Sequence, residues 1–128
     1  MKEVSIFLWI HPNAPRAREI KYKYILVFGP HTRTGEKTVS GETANRVLMM
    51  AAIAALERMT KPAMITFWTE SDYFINGHEH MAEWIRNGWK RSGGKELKNA
   101  DLWKRLHELE CVHSVRCIKD TLNQFMGD

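Results

Sequence analysis

Between Ala44 and Leu56 the only charged side chain is Arg46, and Val47-Leu48-Met49-Met50-Ala51-Ala52-Ile53-Ala54-Ala55-Leu56 is apolar without a break. Thr43 suits an N-cap, so a helix is predicted over 45–58. A helix with no polar face has nothing to present to water and must be enclosed by other elements. The chain must therefore supply layers around residues 45–58, and the remaining segments are read with that demand in view. Lys61-Pro62 stops the helix.

Residues 3–10 are β-branched and aromatic, which predicts a strand ended by Pro12 and Pro15. Residues 20–28 alternate and then become wholly apolar, a second strand closed by Gly29-Pro30. A short third strand is predicted over Glu36–Ser40, before Gly41. Beyond the helix, 63–69 reads as a fourth strand and 112–118 as a fifth. Asp72 to Trp89 reads as helical in two pieces broken near Gly77, because a glycine inside a helical pattern lowers its propensity. Leu102, Leu106 and Leu109 share a helix face, with Asn99 or Asp101 at its start. Asp120 is a candidate cap for a last helix over Thr121–Met126. The expected order is β-β-β-α-β-α-α-β-α. It implies one α/β domain over 1–128, a mixed five-stranded sheet with helices on both faces.

The chain has 128 residues and a net charge of +4. From Ile85 to Arg105 seven basic residues face only two acidic ones, a local balance of +5 that exceeds the charge of the whole chain. Basicity so concentrated suits phosphate contacts. No apolar run reaches the roughly 20 residues of a membrane span, and the start shows no secretory leader pattern. Two cysteines, Cys111 and Cys117, cannot frame a disulfide scaffold, and no spacing suggests zinc. A cytoplasmic protein with both thiols reduced and no cofactor is expected. His78-Glu79-His80 lacks the i, i+4 pair of helical zinc sites.

Three stretches resemble the type 1 ribonuclease H family. Thr43-Ala44-Asn45-Arg46 through Leu56 resembles its central-helix motif. Ile65-Thr66-Phe67-Trp68-Thr69-Glu70-Ser71-Asp72-Tyr73 resembles its strand-to-helix turn. Trp84-Ile85-Arg86-Asn87-Gly88-Trp89-Lys90 with Lys98-Asn99-Ala100-Asp101-Leu102-Trp103 resembles its aromatic-basic segment. The resemblance implies the ribonuclease H-like fold and, for intact members, phosphodiester hydrolysis by two divalent cations held by carboxylates.

Carried over residue by residue, the family's acidic positions fall on Trp9, Leu48, Glu70 and Asp120. An indole and an isobutyl group offer no oxygen lone pair. On that ground the chain is expected to be a catalytically degenerate member, not an enzyme, with no metal site. Glu70 beside Trp9 and Leu48 is expected to be costly to leave charged and unpaired.

The resemblance assigns nucleic-acid contacts to Asn45, Trp84, Trp89, Lys90, Lys95, Lys98 and Asn99, and the basic run adds Arg91. Lysine and arginine displace counterions from phosphates, and indoles pack on sugars or bases. An RNA–DNA hybrid or double-stranded RNA, recognised by shape, is the expected ligand. Here His11-Pro12-Asn13 stands where the family has a glycine-rich turn. The alternative is a protein-binding inhibitor on an idle scaffold, for example a phage-encoded anti-CRISPR-type inhibitor of an RNA-guided nuclease.

Overall fold

A computed structural model describes residues 1–15 and 17–121. Three strands come first: β1 (Lys2–His11), β2 (Glu19–Phe28) and β3 (His31–Ser40). Helix α1 (Ala44–Glu57), β4 (Ala63–Thr69), α2 (Asp72–Arg86), α3 (Ala100–Glu110) and β5 (Ser114–Lys119) follow. The sheet order is β3-β2-β1-β4-β5. β1 pairs antiparallel with β2 and parallel with β4, and β5 pairs parallel with β4. This is the mixed five-stranded sheet expected from the sequence. The predicted helix over Thr121–Met126 lies outside the described residues apart from Thr121. The described helices pack on one face.

Helix α1 is enclosed as its composition demands. Val47, Leu48, Met49, Ala51, Ala52, Ile53, Ala55 and Leu56 are all buried. The Thr43 side chain accepts from the Arg46 amide at 3.2 Å and caps the first turn. Val4, Ile6 and Leu8 of β1 alternate with Ile20, Tyr22, Tyr24 and Leu26 of β2 to form the apolar floor beneath α1.

Two elements differ from expectation. β3 is twice the predicted length, pairing with β2 from Glu19↔Ser40 to Phe28↔His31. Nearly all its side chains are exposed, so it carries no alternation to read; backbone pairing along an edge defines it. Helix α2 is continuous, with no break at Gly77. Gly77 is buried, and a Cβ there would run into the Trp103 ring. The glycine is a packing requirement between α2 and α3, not a helix breaker.

Candidate nucleic-acid interface and carboxylate cavity

The parallel strands β1 and β4 end together, and a cavity of about 270 Å³ opens beyond their carboxyl ends. Open α/β sheets commonly place ligands there. Leu8, Trp9 and Ile10 form one wall, and Ala44, Asn45 and Leu48 from the first turns of α1 form another. The turn from β4 into α2 contributes Thr69, Glu70, Ser71, Asp72 and Tyr73, and Asn13 and Asp120 complete the lining.

Local hydrogen bonds shape this turn. Buried Thr69 accepts from the Ser71 amide at 3.1 Å through its hydroxyl. Ser71 in turn caps α2, accepting from the Phe74 amide at 3.1 Å. The Asp120 amide donates to the Thr69 carbonyl at 2.8 Å, carrying the β4–β5 ladder one step further. That bond sets Asp120, 5% exposed, beside the end of β4. Glu70 is exposed, so the desolvation expected of a carboxylate between Trp9 and Leu48 does not arise. Asp72 accepts from Lys119 Nζ at 2.6 Å.

Leu48 is buried, and Trp9 is half-buried and stacked on His11 with ring centroids 5.7 Å apart. The two-cation arrangement implied by the resemblance does not fit these donors. Trp9 and Leu48 offer no oxygen, and Asp72 is already paired with Lys119. Among the described residues no three His, Cys, Asp or Glu side chains converge on a metal position. Sequence reasoning missed Asn13, Asp72 and Tyr73 as lining residues. The signal for the last two was their place in the first turn of a helix that opens at the end of a parallel strand.

The predicted nucleic-acid residues divide into groups. Asn45 is exposed at the cavity. Lys90, Arg91, Lys95 and Lys98 are exposed along the turn between α2 and α3. That turn closes on itself through the Lys90–Glu96 bridge and the Arg91 amide, which donates to the Lys95 carbonyl at 2.8 Å. Gly93 and Gly94 lie at φ 84° and 81°, the left-handed region that glycine enters without strain.

Trp84 and Trp89 are half-buried and serve as the base of this turn. Trp84 packs on Trp103 at 5.4 Å, and Trp89 packs on His107 at 5.9 Å. The Asn99 amide group faces inward, donating to Tyr73 Oη at 2.8 Å and accepting from Arg46 Nη1 at 3.1 Å. It ties α1, α2 and α3 together at the cavity's edge. His78 is engaged by the Glu110 carboxylate at 2.7 Å.

The RNase H family model matches residues 13–119, from the cavity loop to the end of β5. The chain belongs to the ribonuclease H family. A Ribonuclease H of Acetivibrio thermocellus is 39% identical over 101 residues, covering 74% of this chain and 66% of that protein. One from Xanthomonas campestris is 46% identical over 85 residues, covering 62% of this chain and 57% of that protein. One from Lachnoclostridium phytofermentans is 37% identical over 108 residues, covering 82% and 68%. The matched region thus spans about two thirds or less of most of these relatives' length.

Among solved structures, LC9-RNase H1, a type 1 RNase H with the type 2 active-site motif, superposes with a TM-score of 0.75 at 18% identity. The match covers 94% of this chain and 64% of that one. A foamy viral protease-reverse transcriptase in complex with an RNA/DNA hybrid superposes with a TM-score of 0.69 at 14% identity, covering 98% and 18%.

These relatives correct one expectation. The reading of the chain as not an enzyme rested on Trp9 and Leu48 alone. Relatives at 37–46% identity bear the name of an enzyme, Ribonuclease H, and overturn it. None of the proteins named above bears the name of an inhibitor. Among the described residues no helix is long and apolar enough to cross a membrane.

Proposed function

We propose that this ribonuclease H-family domain takes an RNA–DNA hybrid as its nucleic-acid ligand, the duplex on which its family acts. One backbone lies along the turn carrying Lys90, Arg91, Lys95 and Lys98, and the other reaches the cavity at Asn45 and Glu70. The observation that carries the reading is the arrangement of these two features. A family match over residues 13–119 includes the cavity lining from Asn13 to Tyr73, but not Leu8, Trp9, Ile10 or Asp120, together with a turn whose four cations are all exposed. The half-buried Trp84 and Trp89 hold that turn against α3, so the cations project from a fixed base rather than a loose loop.

The test is a binding series with an RNA–DNA hybrid against salt, with double-stranded RNA and double-stranded DNA as competitors. Affinity is expected to fall steeply with salt. Lys95→Glu with Lys98→Glu should weaken binding and lower the salt slope by about two, since each phosphate contact contributes close to one. Equal binding by this double variant and the parent would remove the turn from the interface. RNA-strand cleavage is read in the same series with Mg²⁺ or Mn²⁺. Cleavage that survived joint replacement of Glu70 and Asp120 by alanine would detach the chemistry from this cavity.

A further inference from the structure

The sheet has a second opening at its other end, where β1 and β4 begin. A cavity of about 470 Å³ lies there, beneath the last turn of α1. The floor is apolar: Val4, Leu26 and Ala63 are buried, and Phe28 and Met59 are half-buried. The rim carries four cations, Lys2, Arg33, Arg58 and Lys61, and among the described residues no carboxylate lines the cavity. From Lys2 to Trp9 along β1 is about 23 Å at the rise of a strand, so this opening is separate from the carboxylate cavity.

Among the described residues four lysine or arginine side chains, Lys21, Arg46, Arg105 and Lys119, have a carboxylate partner. Among the described residues none of the four rim cations does. Lys2 lies over the Phe28 ring, its ammonium 6.0 Å from the centroid. Arg58 is held in place by two bonds to neutral oxygens, donating to Tyr24 Oη and to the Thr34 carbonyl, each at 3.2 Å. The C-terminal carbonyls of α1 draw cations to this end of the helix, but four around one apolar floor exceed the half-charge of a helix terminus. A cavity of this size falls in the range of small-ligand sites, which combine an apolar lining with a few convergent polar groups.

We propose that this opening binds a small amphipathic anion: an aromatic or alicyclic body seated on Val4, Leu26 and Phe28, with a phosphate or carboxylate head among the rim cations. The two parts act together, because the body is desolvated on the floor while the head is paired at the mouth. Neither inorganic phosphate nor an uncharged ring satisfies both.

The probe is 1-naphthyl phosphate, titrated into the full chain and followed by amide chemical shifts and calorimetry. Saturable one-to-one binding is expected, with shifts confined to the starts of β1, β3 and β4, the end of β2 and residues 58–62. 1-Naphthol and inorganic phosphate should each bind at least about tenfold more weakly. Arg33→Glu with Lys61→Glu, both exposed positions, should weaken 1-naphthyl phosphate by about tenfold or more and leave hybrid binding within about twofold. Circular dichroism of the double variant confirms that it is folded. No saturation by 1-naphthyl phosphate, equal binding of inorganic phosphate, or undiminished binding by the folded double variant would each overturn the proposal. The deciding readout is 1-naphthyl phosphate binding, with hybrid binding only as a control, so its failure is distinct from failure of the hybrid reading.

Discussion

Arg46 grips both carboxylate oxygens of Asp101, at 3.0 and 2.8 Å, across a separation of 55 residues. Its Nε donates to Glu42 at 2.7 Å, and its Nη1 also donates to Asn99. One guanidinium thus joins the start of α1 to the start of α3, and through Asn99 to Tyr73 on α2. Planar, forked geometry makes this possible, and a lysine cannot reproduce it. Arg46→Lys is expected to lower stability by about 0.5–1 kcal/mol, the size of a well-formed but largely solvent-exposed network. Denaturant melts read the change. An unchanged midpoint would show that the three helix starts hold together without it.

The same pair has a pH signature. The Arg46 hydrogen bonds, more than any other cause, hold the Asp101 carboxyl below its ordinary value. A depressed folded value means the folded state keeps the charge while the unfolded chain takes up a proton. The contribution is therefore whole above about pH 4, the ordinary carboxylate value, and is lost as pH falls through the lower folded one. Asp101 is mostly exposed, so solvent screening keeps the effect small. Melts at pH 6 and pH 3 should show Asp101→Asn costing more stability at the first than at the second.

Gly77 and Trp103 make a sharper case. Trp103 is fully buried and packed by Tyr73, Phe74 and Trp84, so its ring has no room to retreat from a methyl group on α2. Gly77→Ala raises helix propensity yet is expected to destabilise by about 1–3 kcal/mol, the cost of overpacking a core. A raised melting temperature would contradict this packing.

Much of the architecture was legible because it depends on apolar demand. Residues 44–56 announce an enclosed helix, and β1, β2 and β4 announce the sheet that encloses it. β3 was half hidden because an edge strand paired on one side has no buried face to imprint a pattern. Gly77 misled because propensity describes a helix in isolation, whereas its neighbour Trp103 comes from 26 residues further on. In the site, Trp9, Leu48 and Glu70 were locatable from motif spacing. The inward role of Asn99 was not, since its partners Tyr73 and Arg46 come from two other helices. The inference against an enzyme failed for a related reason. A position-by-position reading states what Trp9 and Leu48 cannot donate; it does not describe what Glu70, Asp72 and Asp120 do around one cavity.

The two thiols should behave differently. Burial, foremost, pushes the Cys117 thiol up to about 12, with Glu110 and Glu79 adding to it, whereas Cys111 is exposed. The thiolate is the reactive species, so a disulfide reagent at pH 8 should label Cys111 quickly and Cys117 slowly. In denaturant the rates should converge. The sign of the linkage follows. The folded state holds the Cys117 proton more tightly than the unfolded chain, so this contribution is whole below the ordinary thiol value and is lost progressively from about pH 9 upward. Cys117→Ser should flatten the alkaline limb of a stability–pH profile. Two equally fast thiols in the folded protein would contradict the partial burial of Cys117.

Trp9 and Leu48 permit a direct test of the donor argument. Both line the cavity that Glu70 and Asp120 share, one at the end of β1 and the other one turn into α1. Trp9→Asp with Leu48→Glu adds two carboxylates to those walls, and hard divalent cations take oxygen ligands in number. The double variant is expected to bind Mn²⁺ at least about tenfold more tightly than the parent by calorimetry. Leu48 is 4% exposed, so the new glutamate carries a desolvation cost that metal binding should partly relieve. The variant should therefore melt below the parent without metal and regain stability as Mn²⁺ is added. Equal Mn²⁺ affinity in the two proteins would mean that the four positions do not converge, and that the cavity's walls are set by the packing of α1 and not by the identity of these side chains.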